Sequence, residues 1–180
     1  ATLRRIGISF DIIVKESELI ASKKTAAAIA EVKRAGMAKE KDGALWFAPH
    51  DALLEDRESV IIRSDGRPTY FASDIAYHRE KFTSGYDLVI DVFGSNHHGH
   101  VPKLQALAKI FKFNVEKFKV ILYQYVRLKK GEVAVRMQKR DGNFVTAHTV
   151  LEEIGADSMI FSLLMNAVQS HIDFDPELAK

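Results

Sequence analysis

The pattern of apolar and polar residues changes near position 65 and divides the chain into two parts. Four elements are predicted before that position: an alternating strand at residues 6–14, an alanine-rich helix at 25–35, and short strands at 44–47 and 60–63. Gly36 is placed to end the helix, because glycine accepts the left-handed conformation that closes many helices. No catalytic signature lies in this part, so we interpret it as a packing or insertion-like module.

Apolar runs and amphipathic helices alternate after position 65. The predicted elements are a helix at residues 71–82, a strand at 88–93, a helix beginning at Pro102, a strand at 118–126, and helices at 148–154 and 156–168. Strands and helices joined in this order by short connections favour right-handed crossovers and a parallel sheet. The last helix is apolar on nearly every side, so we expect it to be buried.

Composition narrows the class of protein only a little. The 180 residues are 47% hydrophobic and 28% charged, with a net charge of +2, so no overall field demands a nucleic-acid partner. The absence of cysteine excludes a disulfide framework and a thiolate metal site. No apolar run approaches the ~20 residues that cross a bilayer, and the N-terminus shows no secretory pattern. We therefore expect a cytoplasmic protein without a membrane association.

A basic loop follows the turn at residues 129–132. Arg136, Lys139 and Arg140 lie within five residues, and Gly142 adds backbone freedom. Such a loop can act as a mobile cationic clamp that follows charge as it develops on transferring phosphate oxygens. A solvated basic turn is an equally open interpretation of the same residues.

A second polar segment, Gly94-Ser95-Asn96-His97-His98-Gly99-His100, follows the strand predicted at 88–93. The helix that begins after it directs backbone amides toward anions, Asn96 can hydrogen-bond to hydroxyls, and imidazoles can contact phosphate or stack on a base. The histidines could instead cap the helix or point into solvent. A metal site is disfavoured, because adjacent helical residues point in different directions and no carboxylate lies at ligand spacing.

A third segment contains Tyr70 and Asp74, which are four residues apart and share one face if a helix begins there. A carboxylate beside an aromatic ring and hydroxyl would hold a guanidinium well, since that planar cation is favoured both by bidentate hydrogen bonding and by stacking. The alternative is that Asp74 caps the helix and Tyr70 packs into the core.

These three segments resemble motifs of arginyl-tRNA synthetases, and they occur in the order of that family. DGRPTYFASDIAYH at residues 65–78 resembles the family's DGxPTYFAxDIAYH, and GSNHHGH at 94–100 resembles the stretch that contains GADHHGY. RMQKR at 136–140 resembles the KMSKS signature of class I synthetases, with DGNFVT after it as in the arginyl branch. SHIDFD at 170–175 resembles the family's SHLDFD, and we assign it a structural role.

The resemblance implies a fold and a reaction. The fold is α/β, with the second half of a Rossmann-like parallel-sheet catalytic domain and the signature loop at residues 63–147. An α+β insertion-like segment at 1–62 precedes it, and a C-terminal helical segment at 148–180 follows it. The implied reaction is activation of L-arginine by ATP, with Mg²⁺, and transfer of arginine to tRNA. No HIGH-type segment or anticodon-binding domain is recognisable, so we expect a fragment that does not charge tRNA alone.

The resemblance also implies roles for individual residues. The phosphate-stabilising residues would be Lys139, Arg136 and Arg140; the arginine-binding residues Tyr70, Asp74 and His97; and the nucleotide-binding residues Gly94, Asn96, His97, His98 and Met137. No residue is predicted to bind a metal.

Two departures from the family pattern keep other functions open. Asn96 stands where the family has Asp, and a neutral amide is a poorer acceptor for two ribose hydroxyls. Gln138 stands where the signature loop usually has Ser. Both favour a non-catalytic nucleotide- or RNA-binding relative of the same fold. A nucleotidylyltransferase of similar fold is a third interpretation, and its substrate would not need Tyr70 or Asp74.

Overall fold

The computed structural model describes residues 2–48, 58–130, 133–134 and 145–179. The chain divides into two compact units, a larger one formed by Ile13–Ile121 and a smaller one formed by Ala1–Ile12 together with Leu122–Lys180. Their boundaries differ from those at residues 62 and 147 expected from the sequence, and the division into three parts stays a prediction.

The described residues form a mixed α/β arrangement, which confirms the broad fold class. The helices are α1 (Thr2–Arg5), α2 (Glu16–Ala21), α3 (Lys24–Arg34), α4 (Tyr70–Thr83), α5 (Val101–Ile110), α6 (Ala147–Ile154) and α7 (Ala156–Leu164). The strands are β1 (Ala38–Lys41), β2 (Ala44–Phe47), β3 (Ser59–Ile62), β4 (Val89–Gly94), β5 (Phe118–Tyr123), β6 (Val126–Lys130), β7 (Val133–Ala134) and β8 (Ile172–Phe174). Short 3₁₀ helices occupy Ser95–His100 and Val115–Lys117. No described helix is both long enough and apolar enough to span a lipid bilayer.

The strands build small sheets of both orientations. β1, β2 and β3 form an antiparallel sheet, with Ala38 opposite Phe47 and a register shift between Leu45 and Trp46. β4 pairs with β5. In the smaller unit, β6 pairs with β7 in antiparallel fashion and with β8 in parallel.

One apolar core holds the larger unit together. α4 packs against α3, α5 and β3, and the side chains of Phe47, Ile61, Ile75 and Leu107 are fully enclosed. Aromatic rings interlock in this core: the Phe47 and Phe71 rings meet edge to face with their centroids 5.3 Å apart. Since a packed core moves little, α4 is a rigid platform for the side chains on its open face.

The predicted helix at 25–35 is present as α3, and its end follows the expected chemistry. Ala28, Ile29 and Val32 form its buried stripe. Gly36 then adopts φ of 71°, in the left-handed region, where it closes the helix without strain. In the smaller unit, Thr146 caps α6 by accepting a hydrogen bond from the backbone N–H of Thr149 at 3.0 Å.

Two predicted strands differ from the structure. Residues 6–14 contain no strand, and Ile8, Phe10 and Ile12 are exposed, because an alternating segment becomes a strand only when a partner strand hydrogen-bonds to it, and no described strand does so. The strand predicted at 118–126 is divided into β5 and β6. At the division, the backbone N–H of Gln124 donates to the carbonyl of Val168 at 3.2 Å instead of to a neighbouring strand.

The expectation that the last helix is buried is wrong. α7 ends at Leu164 and has no buried residue, and the side chains of Phe161 and Leu164 are 70% and 76% exposed. A helix that is apolar on all sides needs neighbours on all sides. Among the described residues, α7 contacts only α6 and β8 to any extent.

Candidate functional site

The start of α4 is fixed by its contacts with β3. Thr69 is extended and precedes the helix, and its hydroxyl donates to the carbonyl of Val60 at 2.7 Å. Its backbone N–H donates to the carbonyl of Ile61 at 2.9 Å. These bonds set the position of the first turn, and therefore of Tyr70, relative to the core.

The first turns of α4 line a cleft of about 270 Å³. Its walls are formed by Val14, Glu16, Leu19, Tyr70, Ser73, Asp74 and Tyr77. The structure thus brings Tyr70 and Asp74 to one face, as their spacing predicts. Tyr70 is 80% exposed, so it does not pack into the core of the larger unit.

Glu16 is a cleft residue that no pattern in the sequence singles out. It begins the six-residue helix α2, which no strong periodicity predicts, and it places a second carboxylate at the cleft. Glu16 also lines a neighbouring cleft of about 270 Å³, together with Tyr70, Arg63 and Arg67. Tyr70 therefore stands between two openings of similar size.

The pKa of Asp74 is set by neighbouring groups that act in opposite directions. Burial raises the pKa of Asp74 above its ordinary value, and the negative charge of Glu16 acts in the same direction. Electrostatic interactions with His78, His100 and Lys81 oppose this rise in the pKa of Asp74 without cancelling it. A cation bound in the cleft would offset both the cost of burying the Asp74 carboxylate and its repulsion by Glu16.

A buried hydrogen-bond network connects α4 to β4. His78 Nδ1 lies 2.7 Å from the carbonyl oxygen of Asp74, and His78 Nε2 lies 2.7 Å from Oδ2 of Asp91. Lys81 Nζ donates to the other oxygen of Asp91 and stands over the Tyr77 ring, 4.7 Å from its centroid. Asp91 interrupts the apolar run of β4, which is the signal by which the sequence could have revealed this network.

The predicted nucleotide segment forms the 3₁₀ helix between β4 and α5. Asn96, His97 and His98 are exposed there, and the His97 ring stacks on Phe93 with a centroid separation of 5.5 Å. Gly94 has φ of −65°, a conformation open to any residue, so its backbone does not itself require glycine. No described group of three or more His, Cys, Asp or Glu residues could hold a metal ion.

His100 connects this segment to the first turn of α4. Its ring meets the Phe71 ring edge to face at 6.4 Å and lies 5.5 Å from the ring of His97. Burial and the positive charge of Lys103 lower the pKa of His100, whereas Asp74 acts in the opposite direction. The electrostatic interaction between His100 and Asp74 therefore places one end of the Asn96–His100 segment near the cleft.

The signature loop lies outside the described residues, and with it Arg136, Met137, Gln138, Lys139 and Arg140. The SHIDFD segment is described and has the expected structural part: β8 pairs with β6, and the Asp173 carboxylate accepts from Arg127 at 2.8 Å and Lys129 at 2.7 Å.

Comparison with known proteins defines the class. Residues 1–172 match the family described as tRNA synthetases class I (R), catalytic domain. The matched range includes α4, its cleft and the 3₁₀ segment after β4.

Individual relatives specify the branch of that class. The arginine–tRNA ligase of Heliobacterium modesticaldum is 42% identical over 179 residues, and the alignment covers 99% of this chain and 32% of the ligase. That of Syntrophotalea carbinolica is 44% identical over 178 residues, with the same coverage of 99% and 32%. The chain belongs to the arginyl-tRNA synthetase family of class I. It spans about a third of the length of these curated relatives, 32% in both cases.

Solved structures agree with this assignment. A candidate arginyl-tRNA synthetase from Campylobacter jejuni matches with a TM-score of 0.83 at 31% identity, over 98% of this chain and 38% of the other. The arginyl-tRNA synthetase of Thermus thermophilus matches with a TM-score of 0.73 at 18% identity, over 99% and 40%, which shows the fold alone. The described architecture therefore corresponds to the catalytic region of these enzymes.

Proposed function

We propose that this chain is part of an arginyl-tRNA synthetase that activates L-arginine with ATP and attaches it to tRNA in the cytoplasm. Its share of the fold would be the second half of a Rossmann-like parallel-sheet domain, with the remaining sheet and the anticodon-binding part supplied by further polypeptide. The observation that carries the proposal is the cleft in which Tyr70, Asp74 and Glu16 meet.

The charge of the cleft suits free arginine. Two carboxylates face it, and free arginine carries two cationic groups, the guanidinium and the α-ammonium. Asp74 and Tyr70 would hold the guanidinium by hydrogen bonding and stacking, and Glu16 would face the second positive group. Because burial and Glu16 both raise the pKa of Asp74, a ligand that presents two cationic groups to the cleft would offset the repulsion between the two carboxylates.

ATP would bind beside the cleft, at the segment after β4. His97 and His98 are exposed and could contact the nucleotide, Asn96 could hydrogen-bond to the ribose, and Gly94 leads into this segment. Lys139 would stabilise the transferring phosphates, with Arg136, Arg140 and Met137 beside it in the signature loop. Mg²⁺ would be held by the ATP phosphates, as is usual for this ion.

Catalysis by these residues would consist of positioning and electrostatic preorganisation. Adenylate formation joins the arginine carboxylate to the α-phosphate and releases pyrophosphate. Holding both substrates in line contributes most when the protein groups are already in place, and cations near the phosphates stabilise the charge that develops there. His97, which the sequence resemblance assigns to arginine as well as to nucleotide, would stand where the two substrates meet.

Two measurements test this function. Calorimetric titration should show binding of L-arginine and much weaker binding of L-citrulline, which has the same shape without the guanidinium charge. Arginine-dependent ATP–pyrophosphate exchange should be absent from the chain alone and should return when the remaining two thirds of a relative are supplied in trans. Equal affinity for arginine and citrulline would exclude the proposed cleft, and no exchange under either condition would exclude the proposed activity.

A second function stays possible because of Asn96. Its exposed neutral amide stands where the family has a carboxylate, which weakens the expected grip on the ribose hydroxyls. A non-catalytic relative that binds nucleotide or RNA would then bind ATP or RNA without supporting pyrophosphate exchange. Asn96→Asp distinguishes the two functions, because it should increase exchange in the first case and produce none in the second.

A further inference from the structure

A buried group of charged side chains joins α4 to β4 in the larger unit. His78 and Asp91 are 2% and 6% exposed, and Lys81 pairs with Asp91 from the next turn of α4. The rings of Phe82 and Phe118 lie 5.7 Å and 6.2 Å from that of His78 and exclude water from it. Charges in such a place are expensive unless each is paired.

Both ring nitrogens of His78 face acceptors. The carbonyl oxygen of Asp74 can only accept, so Nδ1 must carry a proton and donate it across 2.7 Å. Burial raises the pKa of Asp91, but hydrogen bonds and attraction from His78 and Lys81 outweigh the burial and bring the pKa below its ordinary value. Asp91 is therefore ionised at neutral pH, and its 2.7 Å contact requires a second proton, on Nε2 of His78.

Lys81 shares Asp91 with His78. Its Nζ lies 3.2 Å from Nε2 of His78, so the two side chains converge on one carboxylate from the same side. The ammonium donates to the second oxygen of Asp91 and faces the ring of Tyr77. Two cations and one carboxylate leave a net positive charge, and the carboxylate of Asp74, on the same helix, opposes it from the cleft.

We propose that His78 is a positioning residue: a buried imidazolium that holds the carbonyl of Asp74 in place and keeps the Asp74 carboxylate charged at the cleft. Among the groups that act against the rise in the pKa of Asp74, His78 exerts the strongest attraction, ahead of His100 and Lys81. The binding of a cationic ligand by the charged Asp74 carboxylate rests on the proposed function. The charge of His78 itself does not depend on that function.

The first experiment measures the protons of His78 in the unsubstituted protein. Long-range nitrogen–proton correlation spectra distinguish an imidazolium from either neutral tautomer. At pH 7, we expect both ring nitrogens of His78 to have the chemical shifts of protonated nitrogen. A neutral ring at pH 7, in either tautomer, would overturn the proposal without any variant being made.

The second experiment follows the carboxyl carbon of Asp74 during a pH titration. His78→Gln keeps a donor for Asp91 and removes the charge, so the pKa of Asp74 should rise by about one unit. Phe82→Leu is the matched control, because it disturbs the packing around His78 and leaves the charge present. The proposal fails if Asp74 titrates alike in His78→Gln and the unsubstituted protein, or if Phe82→Leu changes its titration as much.

Arginine binding provides a third readout, which separates this proposal from the proposed function. Below the pKa of Asp74, where the fraction of ionised carboxylate limits binding, His78→Gln should weaken arginine binding by about tenfold, the equivalent of one pKa unit, with citrulline binding unchanged. If the unsubstituted protein does not bind arginine, the proposed function is wrong, and the titration of Asp74 still tests the role of His78. If arginine binds equally to both proteins, His78 has no positioning role.

Discussion

Helices α4 and α7 are both rich in apolar residues, yet their surroundings are opposite. α4 buries seven of its residues against neighbours within the larger unit, and its open side carries Tyr70, Asp74 and Tyr77. α7 buries none and presents Phe161 and Leu164 to solvent. A cleft lies beside each helix, but the one beside α7 is lined by apolar side chains and a single carboxylate, Asp157.

The difference shows that apolar content predicts burial only where neighbouring elements are available. β4 makes the same point within one strand: Val89 and Asp91 are buried, whereas Ile90 and Val92 on the opposite face are exposed. In the relatives from Heliobacterium and Syntrophotalea, the aligned region is 32% of the protein, so two thirds of the polypeptide lies outside it.

Removal of the buried charge under α4 should have the largest effect on stability. Asp91→Ala leaves His78 and Lys81 without their carboxylate, and we expect the free energy of unfolding to fall by about 3–5 kcal/mol. Asp157→Ala in the first turn of α7 removes an exposed carboxylate and should change the free energy of unfolding by less than about 1 kcal/mol. Urea denaturation of both variants provides the measurement. Similar losses would mean that the Asp91 network does not stabilise the fold.

Truncation of an apolar side chain should have the next largest effect on stability, and the effect should differ between the two helices. Ile75 is fully enclosed in α4, so Ile75→Ala should cost about 2–5 kcal/mol of unfolding free energy through lost burial and a residual cavity. Leu164→Ala on α7 removes a side chain that is already in water, and we expect little change. The same denaturation experiment tests both. A loss at Leu164 as large as that at Ile75 would indicate that α7 is covered in solution.

Local elements were the part of the fold that sequence could predict. α3, β2, α4, β4 and α5 follow periodicity, capping and glycine signals that act within a few residues. The absent strand at 6–14 and the exposure of α7 depend on partners distant in sequence, which local patterns do not specify. The two-unit division depends on packing for the same reason.

The candidate site shows the same limit. The i, i+4 spacing was enough to place Tyr70 and Asp74 on one face of α4. Glu16 reaches that cleft from a short helix with no signature, and His78 and Asp91 meet only when α4 packs on β4. A polar residue inside an apolar run, such as Asp91, is the kind of signal that can be sought in advance, because a buried charge requires a partner.

The two clefts should differ in arginine binding, and the expected change in binding free energy is smaller than the loss of unfolding free energy in Asp91→Ala. Asp74→Asn should weaken arginine binding by about 1.5–3 kcal/mol, the scale of a charge-assisted hydrogen bond. Asp157→Asn is the matched control at the apolar cleft beside α7 and should leave arginine affinity unchanged. Calorimetric titration measures both. Unchanged affinity in Asp74→Asn would remove Asp74 from the substrate site, and a loss in Asp157→Asn would move the site toward α7.

The smallest expected effect is the dependence of stability on pH that Asp74 causes. Burial raises the pKa of Asp74, with Glu16 acting in the same direction, so the folded protein holds this proton at pH values where the unfolded chain has released it. Stability must then fall as pH rises from the unfolded pKa through the folded one, and the penalty is complete above the folded pKa.

Asp74→Asn cannot ionise, so the variant should be slightly more stable than the unsubstituted protein at pH 7 and should lose that advantage below the unfolded pKa. Asp91 has the opposite dependence, since its lowered pKa adds stability that is lost as pH falls through the folded value, but it is common to both proteins and cancels in the difference. Denaturation of the pair across this pH range, with Asp74→Glu as the control that keeps a carboxyl group, measures the difference. A constant offset between the curves would mean that Asp74 is no more costly to ionise in the folded protein than in the unfolded chain, and the cleft beside α4 would then lack the stored repulsion that a cationic substrate is proposed to relieve.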